Sequence, residues 1–117
     1  MDPAKWDYLA MDIHRLAGDD VQAAASARSA LRDNLAPDGT ELSPMRIAEC
    51  RLTLAFVAGR AGDLEEAVRL GIEGLKDGRQ SKVHLRMVAR ELHHQLQQQY
   101  PAAEAATTDL AEAIRAI

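Results

Sequence analysis

Three groups of side chains in this sequence carry potential chemistry: histidines beside a glutamate, a single cysteine, and arginines at helical spacing. Glu91, His93 and His94 stand together, and Glu91-x-x-His94 has the spacing by which di-iron bundles place two ligands on one helix face. Such a centre needs a second copy of the pair and glutamates from other helices, and the sequence pairs none. Glu91 to His94 therefore reads as a polar helix face running on into the glutamines at 95 and 97–99, with no metal ligand assigned. His14 and His84 are not recruited to such a centre. Cys50 is the only cysteine, which excludes an intrachain disulfide and a thiolate cage and leaves a small buried apolar residue as the expectation. No nucleophile elbow, Gly-rich phosphate loop or Cys/His pair is present, so no catalytic residue and no cofactor are assigned and no enzyme is expected.

The arginines carry a different implication. Lys82, Arg86 and Arg90 fall at i, i+4 and i+8, giving one helix a basic edge suited to an acidic peptide. Overall the charge runs the other way. A formal net charge of -4 on 117 residues lacks the concentrated Lys and Arg that duplex DNA or an anionic membrane demands, so neither is expected as a direct partner. No signal-peptide pattern and no apolar run of about 18 to 20 residues is found, and a reducing, cytoplasmic setting is the expectation.

These residues must be positioned by helices. Asp2-Pro3 opens a run with Trp6, Leu9, Ala10, Ile13, Leu16 and Ala17 at helical spacing; a second stripe follows at Val21, Ala24, Arg28, Leu31 and Leu35. Ser43-Pro44 starts a third helix with Ile47, Cys50, Leu54, Val57, Ala58 and Ala61, and a fourth carries Leu64, Ala67, Val68, Gly71 and Leu75 before Lys76-Asp77-Gly78. Ser81 caps a fifth with Leu85, Val88, Leu92 and Leu96, ended by Tyr100-Pro101. The sixth runs from about Ala102 through Ala106, Leu110, Ala113, Ile114 and Ile117. No segment has the alternation of a strand. The expected fold is all-α: one domain over 1–117, built of three stacked antiparallel helical hairpins at about 3–35, 43–78 and 81–117.

The turns repeat. Gly18, Asp19, Gln22, Ala23 and Leu31 recur as Gly62, Asp63, Glu66, Ala67 and Leu75, an offset of 44 residues. Each unit reads as helix, Gly-Asp turn, helix, with Gly stopping one helix and Asp capping the next in a capping box with Gln22 or Glu66. A lone hairpin of this length cannot bury its apolar face, so stacking must complete the core.

Leu54 and Ala55 with Ala67 and Leu75 resemble a tetratricopeptide-type repeat, which implies a right-handed solenoid. The departures are Arg51, Ala58, Gly71 and Arg79 where that family favours Trp, Tyr, Phe and Pro, and a period longer than roughly 34 residues, the surplus falling at 36–42. "LSPMRIAE", "RLTLAFVAGRAGDLEEAV" and "MVARELHHQLQQQYP" together resemble the C-terminal helical-repeat half of actinobacterial helix-turn-helix transcriptional regulators of the XRE type. The sequence opens on the first repeat helix, so DNA binding carries over onto no residue here.

The resemblance implies a non-catalytic module that binds a protein or peptide, or a second copy of the chain, in the setting of transcription regulation or as a stand-alone adaptor. In stacked hairpins the first helix of each pair lines the inner surface, which nominates Tyr8, Asp12 and Arg15, then Glu49, Leu52, Phe56 and Arg60, with Lys82, Arg86 and Arg90 beside them as partner-binding residues. Phe56 flanked by charges is a candidate peptide anchor. Family members that clamp a carboxylate tail use Lys and Asn at these places, which Tyr8, Asp12, Leu52 and Phe56 do not match. The rival expectation is a self-associating scaffold whose last helix, through Leu110, Ile114 and Ile117, makes the dimer contact. A metal-dependent bundle enzyme around Glu91 and His94 is the remote third.

Overall fold

Repeated Gly-Asp turns need repeated geometry, and the computed structural model contains it. Six helices follow in order: α1 (Pro3–Ala17), α2 (Asp20–Asp33), α3 (Pro44–Arg60), α4 (Leu64–Lys76), α5 (Lys82–Gln99) and α6 (Glu104–Arg115). The structure describes residues 3–76 and 82–116, with side chains from residue 10 onward in α1 and from Leu85 onward in α5. The expectations placed on the side chains of Trp6, Tyr8, Leu9 and Lys82, and on Asp77, Gly78, Arg79, Ser81 and Ile117, lie outside the described residues. Among the described residues the fold is all-α, with one isolated bridge, Leu35 to Glu41, in place of any strand.

At the first turn Gly18 takes φ 77° and at the second Gly62 takes φ 95°, left-handed conformations that glycine adopts without steric cost. The Asp19 N–H donates to the His14 carbonyl at 3.0 Å, and the Asp63 N–H to the Ala58 carbonyl at 2.9 Å, the six-to-one bond of a Schellman end in both copies. The two aspartates then cap the following helices, accepting from the N–H groups of Gln22 (3.2 Å) and Glu66 (3.1 Å). The reciprocal half of a capping box does not form. The N–H it needs, on Asp19 or Asp63, already serves the preceding helix, and Glu66 turns instead to Arg69. Ser43 accepts from the Arg46 N–H and Pro44 occupies the first helical position of α3, as expected. Before α6 no side chain caps: Tyr100-Pro101 makes the turn, and the helix starts at Glu104.

α3 is the centre. It packs against α1, α2, α4 and α5, whereas α6 rests on α4 and α5. Two cores meet on it. The larger draws Leu52 and Phe56 from α3, Ala67 and Leu75 from α4, Leu85, Val88, Leu92 and Leu96 from α5, and Leu110 and Ile114 from α6. The smaller holds Met11, Ala27, Ala30 and Cys50, from α1, α2 and α3.

Three helices differ from the expected stripes. α1 buries Met11 and Arg15 and leaves Ile13 (66%) and Leu16 (74%) in solvent. Met11 and Arg15, whose guanidinium faces the Phe56 ring, lie about half a turn round the helix from the centre of the expected apolar stripe. α2 buries Ala23, Ala24, Ala27 and Ala30 while Val21 stays 77% exposed, because small side chains let its backbone approach its neighbours. α3 is buried on nearly all sides, so the stripe through Ile47 and Cys50 is only one of its two buried faces. At Gly71, where the resembled repeat favours Phe, Leu92 and Leu110 methyls lie 3.0 and 3.1 Å from where a Cβ would stand, so neighbouring helices supply the bulk.

Candidate functional site

The sequence-nominated residues of α1 and α3 converge on one ring. Phe56 is 3% exposed, inside the larger core, with the Arg15 guanidinium carbon 5.1 Å and the Arg60 carbon 5.6 Å from its centroid. Both cations lie over a face of negative quadrupole, which offsets part of the cost of withdrawing Arg15, 7% exposed, from water. Arg15 donates to Glu91 Oε2 at 3.2 Å and stands 3.6 Å from Asp12 Oδ1, while its buried Nε has no acceptor. Arg60 donates to Asp20 Oδ1 at 2.8 Å, to Gln95 Oε1 at 3.1 Å and to the Arg15 carbonyl at 3.4 Å. The Gln95 amide donates in turn to the Phe56 carbonyl at 3.4 Å, and the Tyr100 hydroxyl to the Gly59 carbonyl at 2.8 Å.

Asp12, Arg15, Phe56 and Arg60 thus share one polar network spanning α1, α3 and α5. Leu52 and Phe56 do not present a peptide anchor: both are core, because α5 covers that face of α3. Glu49 is buried and engaged in interactions of its own. Leu110 and Ile114 are likewise inside the chain's own core, since α6 turns them toward α4 and α5. Glu91, Gln95 and Asp20 complete this network, and the sequence did not nominate them for it. Only the polarity of the 91–99 run hinted at the first two, because their partners lie tens of residues away.

Arg86 and Arg90 lie apart from the ring. With Met87, Glu91 and His94 they line an open hollow of about 540 Å³ on α5. Met87, half exposed, gives it an apolar patch, and the two guanidiniums a basic edge. Glu91 belongs to both arrangements, since its carboxylate pairs with Arg15. Comparison with known proteins adds no relative: no family model, no curated protein and no solved structure matches this chain.

Cys50 is fully buried and burial pushes its thiol up to about 12, with the Glu49 and Asp12 carboxylates acting in the same direction. Among the described residues no three His, Cys, Asp or Glu side chains converge as metal ligands, and no helix is long and apolar enough to cross a membrane. On α4, Arg69 pairs with both Glu66 and Glu73, and the hydrogen bond from Arg69 holds the Glu66 carboxyl below its usual range.

Proposed function

We propose that this chain is a non-catalytic binding module of tetratricopeptide-like helical hairpins, and that the hollow on α5 takes an acidic peptide segment with an apolar side chain. The observation that carries this reading is the juxtaposition of Arg86 and Arg90 with exposed Met87 in one depression. Two guanidiniums recognise carboxylates, and a flexible, polarisable methionine adapts to an apolar residue. Gln95 bonds to Arg60 and to the Phe56 carbonyl of α3, which ties α5 to α3 behind the hollow and suits a preformed docking face. The resemblance to the repeat half of helix-turn-helix regulators supports a regulatory setting for such a module. Titration of 15N-labelled protein with a fluorescein-free peptide bearing Asp and Glu around one leucine tests it. Shifts concentrated at 86–94, with micromolar affinity that falls in 0.5 M NaCl, are expected; an unresponsive 86–94 segment would count against the hollow.

A second reading, self-association, is favoured by one observation only. Ile13, Leu16 and Val21 are exposed apolar side chains on either side of the α1–α2 turn, so a second copy would be met there rather than at α6. Sedimentation over a concentration range, compared with an Ile13→Lys, Leu16→Lys variant, separates the two. A monomer at all concentrations removes this second reading.

A further inference from the structure

α1 and α2 are attached to the remaining four helices differently from the way those four hold one another. The larger core is drawn entirely from α3, α4, α5 and α6, and contains Phe56 and six leucines. Among the described residues, the smaller one, which α1 and α2 share with α3, has Met11, Ala27, Ala30 and Cys50 fully buried, with the half-buried Leu31 and Leu54 packed against them. Alanine methyls remove far less apolar surface from water than leucine side chains, so among the described residues apolar adhesion across this boundary is thinner than within the larger core. Polar ties supplement it, among them those of the two arginines flanking Phe56. Arg15 reaches Glu91 on α5, and Arg60 reaches Asp20 and the last turn of α1. Among the described residues α1 and α5 do not pack on each other, so Arg15 and Glu91 bridge a gap. The Arg15 Nε without an acceptor is a cost of the closed arrangement that water would relieve on opening. The connection at 34–43 is held by its own bonds, Leu42 N–H to the Asn34 carbonyl and Ala36 N–H to the Thr40 carbonyl, both 2.8 Å, so it can pivot while staying folded.

We propose that the α1–α2 pair is a hinged flap that opens as one unit from the α3–α6 body, breaking the Arg15–Glu91 and Arg60–Asp20 ties and uncovering Cys50 while the body stays folded. Regions of thin packing open below the global unfolding threshold, and ion pairs set how often. Cys50 is the only thiol, lies in the boundary and is fully buried, which makes it a reporter of this motion.

The test compares maleimide labelling of Cys50 in native buffer with the global unfolding rate followed by far-ultraviolet circular dichroism. Labelling at least tenfold faster than global unfolding is expected. Asp20→Asn, Glu91→Gln and 0.5 M NaCl should each accelerate labelling about three- to tenfold, with labelling staying at least tenfold faster than global unfolding under each. Labelling that keeps pace with global unfolding under all conditions would overturn the proposal. Native-state hydrogen exchange gives a second reading without substitutions. Amides of α1 and α2 should share one opening, at least tenfold more frequent than that of the α5 amides; equal protection of α2 and α5 would overturn the flap.

Discussion

Replacing Phe56 separates a core ring from a binding anchor. Phe56→Ala removes a ring that is 3% exposed and packed among the leucines of α3, α5 and α6. A buried Phe→Ala change costs about 3–5 kcal/mol through lost transfer energy and the cavity left behind. Two cation–π contacts go with it. The one to Arg15 is nearly desolvated, at roughly 1–2 kcal/mol, and the one to the more exposed Arg60 falls nearer 0.5 kcal/mol. The sum, about 4.5–7.5 kcal/mol, is comparable with the whole stability of a small domain, about 5–15 kcal/mol. Phe56→Leu keeps most of the volume and loses the ring, so about 1–3 kcal/mol is expected of it. Urea unfolding at pH 7 with a constant m-value is the assay. If Phe56→Ala costs less than about 1 kcal/mol while abolishing peptide binding, the ring is an exposed anchor and the account of the core is wrong.

Further predictions concern the turn, the thiol and the buried arginine. Gly62→Ala should cost about 1–2 kcal/mol, because φ 95° strains any Cβ although no atom lies within 4 Å of it; a thermal melt no more than about 1 °C below the parent would contradict this. The Cys50 thiol has a folded pKa near 12 against an ordinary 9.0, so the stability due to its burial is complete below pH 9 and declines as pH rises toward 12. Urea midpoints from pH 8 to 11 should fall more steeply in the parent than in Cys50→Ala, by roughly 1 kcal/mol per pH unit; parallel slopes would refute the assignment. Glu91→Ala strands the Arg15 guanidinium and should cost about 1–2 kcal/mol, discounted because Glu91 is half exposed. In an Arg15→Met background the same change should cost under about 0.5 kcal/mol, as a double-mutant cycle would show.

Sequence legibility followed how local each determinant is. α5 was readable because Leu85, Val88, Leu92 and Leu96 recur at helical spacing and all four are buried. The Gly-Asp turns were readable because left-handed glycine and a capping aspartate act within six residues. The orientation of α1 was not, because Arg15 turns inward toward Phe56 and Glu91, 41 and 76 residues away in the chain. The buried face of α2 differs for a related reason: the expected stripe runs from Val21 to Leu35, but the helix ends at Asp33 and close approach to neighbouring helices selects its alanines. For the candidate site, the basic edge at Arg86 and Arg90 was visible as spacing, whereas the hollow with Met87 and His94 arises only once the helix faces are set.

The most direct measurement of the binding reading is a charge reversal at the hollow. Affinities of Arg86→Glu, Arg90→Glu double-variant protein are measured by calorimetry for the acidic, leucine-bearing peptide and for its lysine counterpart. The account predicts that the variant, folded as judged by circular dichroism, loses at least tenfold in affinity for the acidic peptide and gains for the basic one. Unchanged affinity for both peptides would contradict the assignment of the hollow as the binding site.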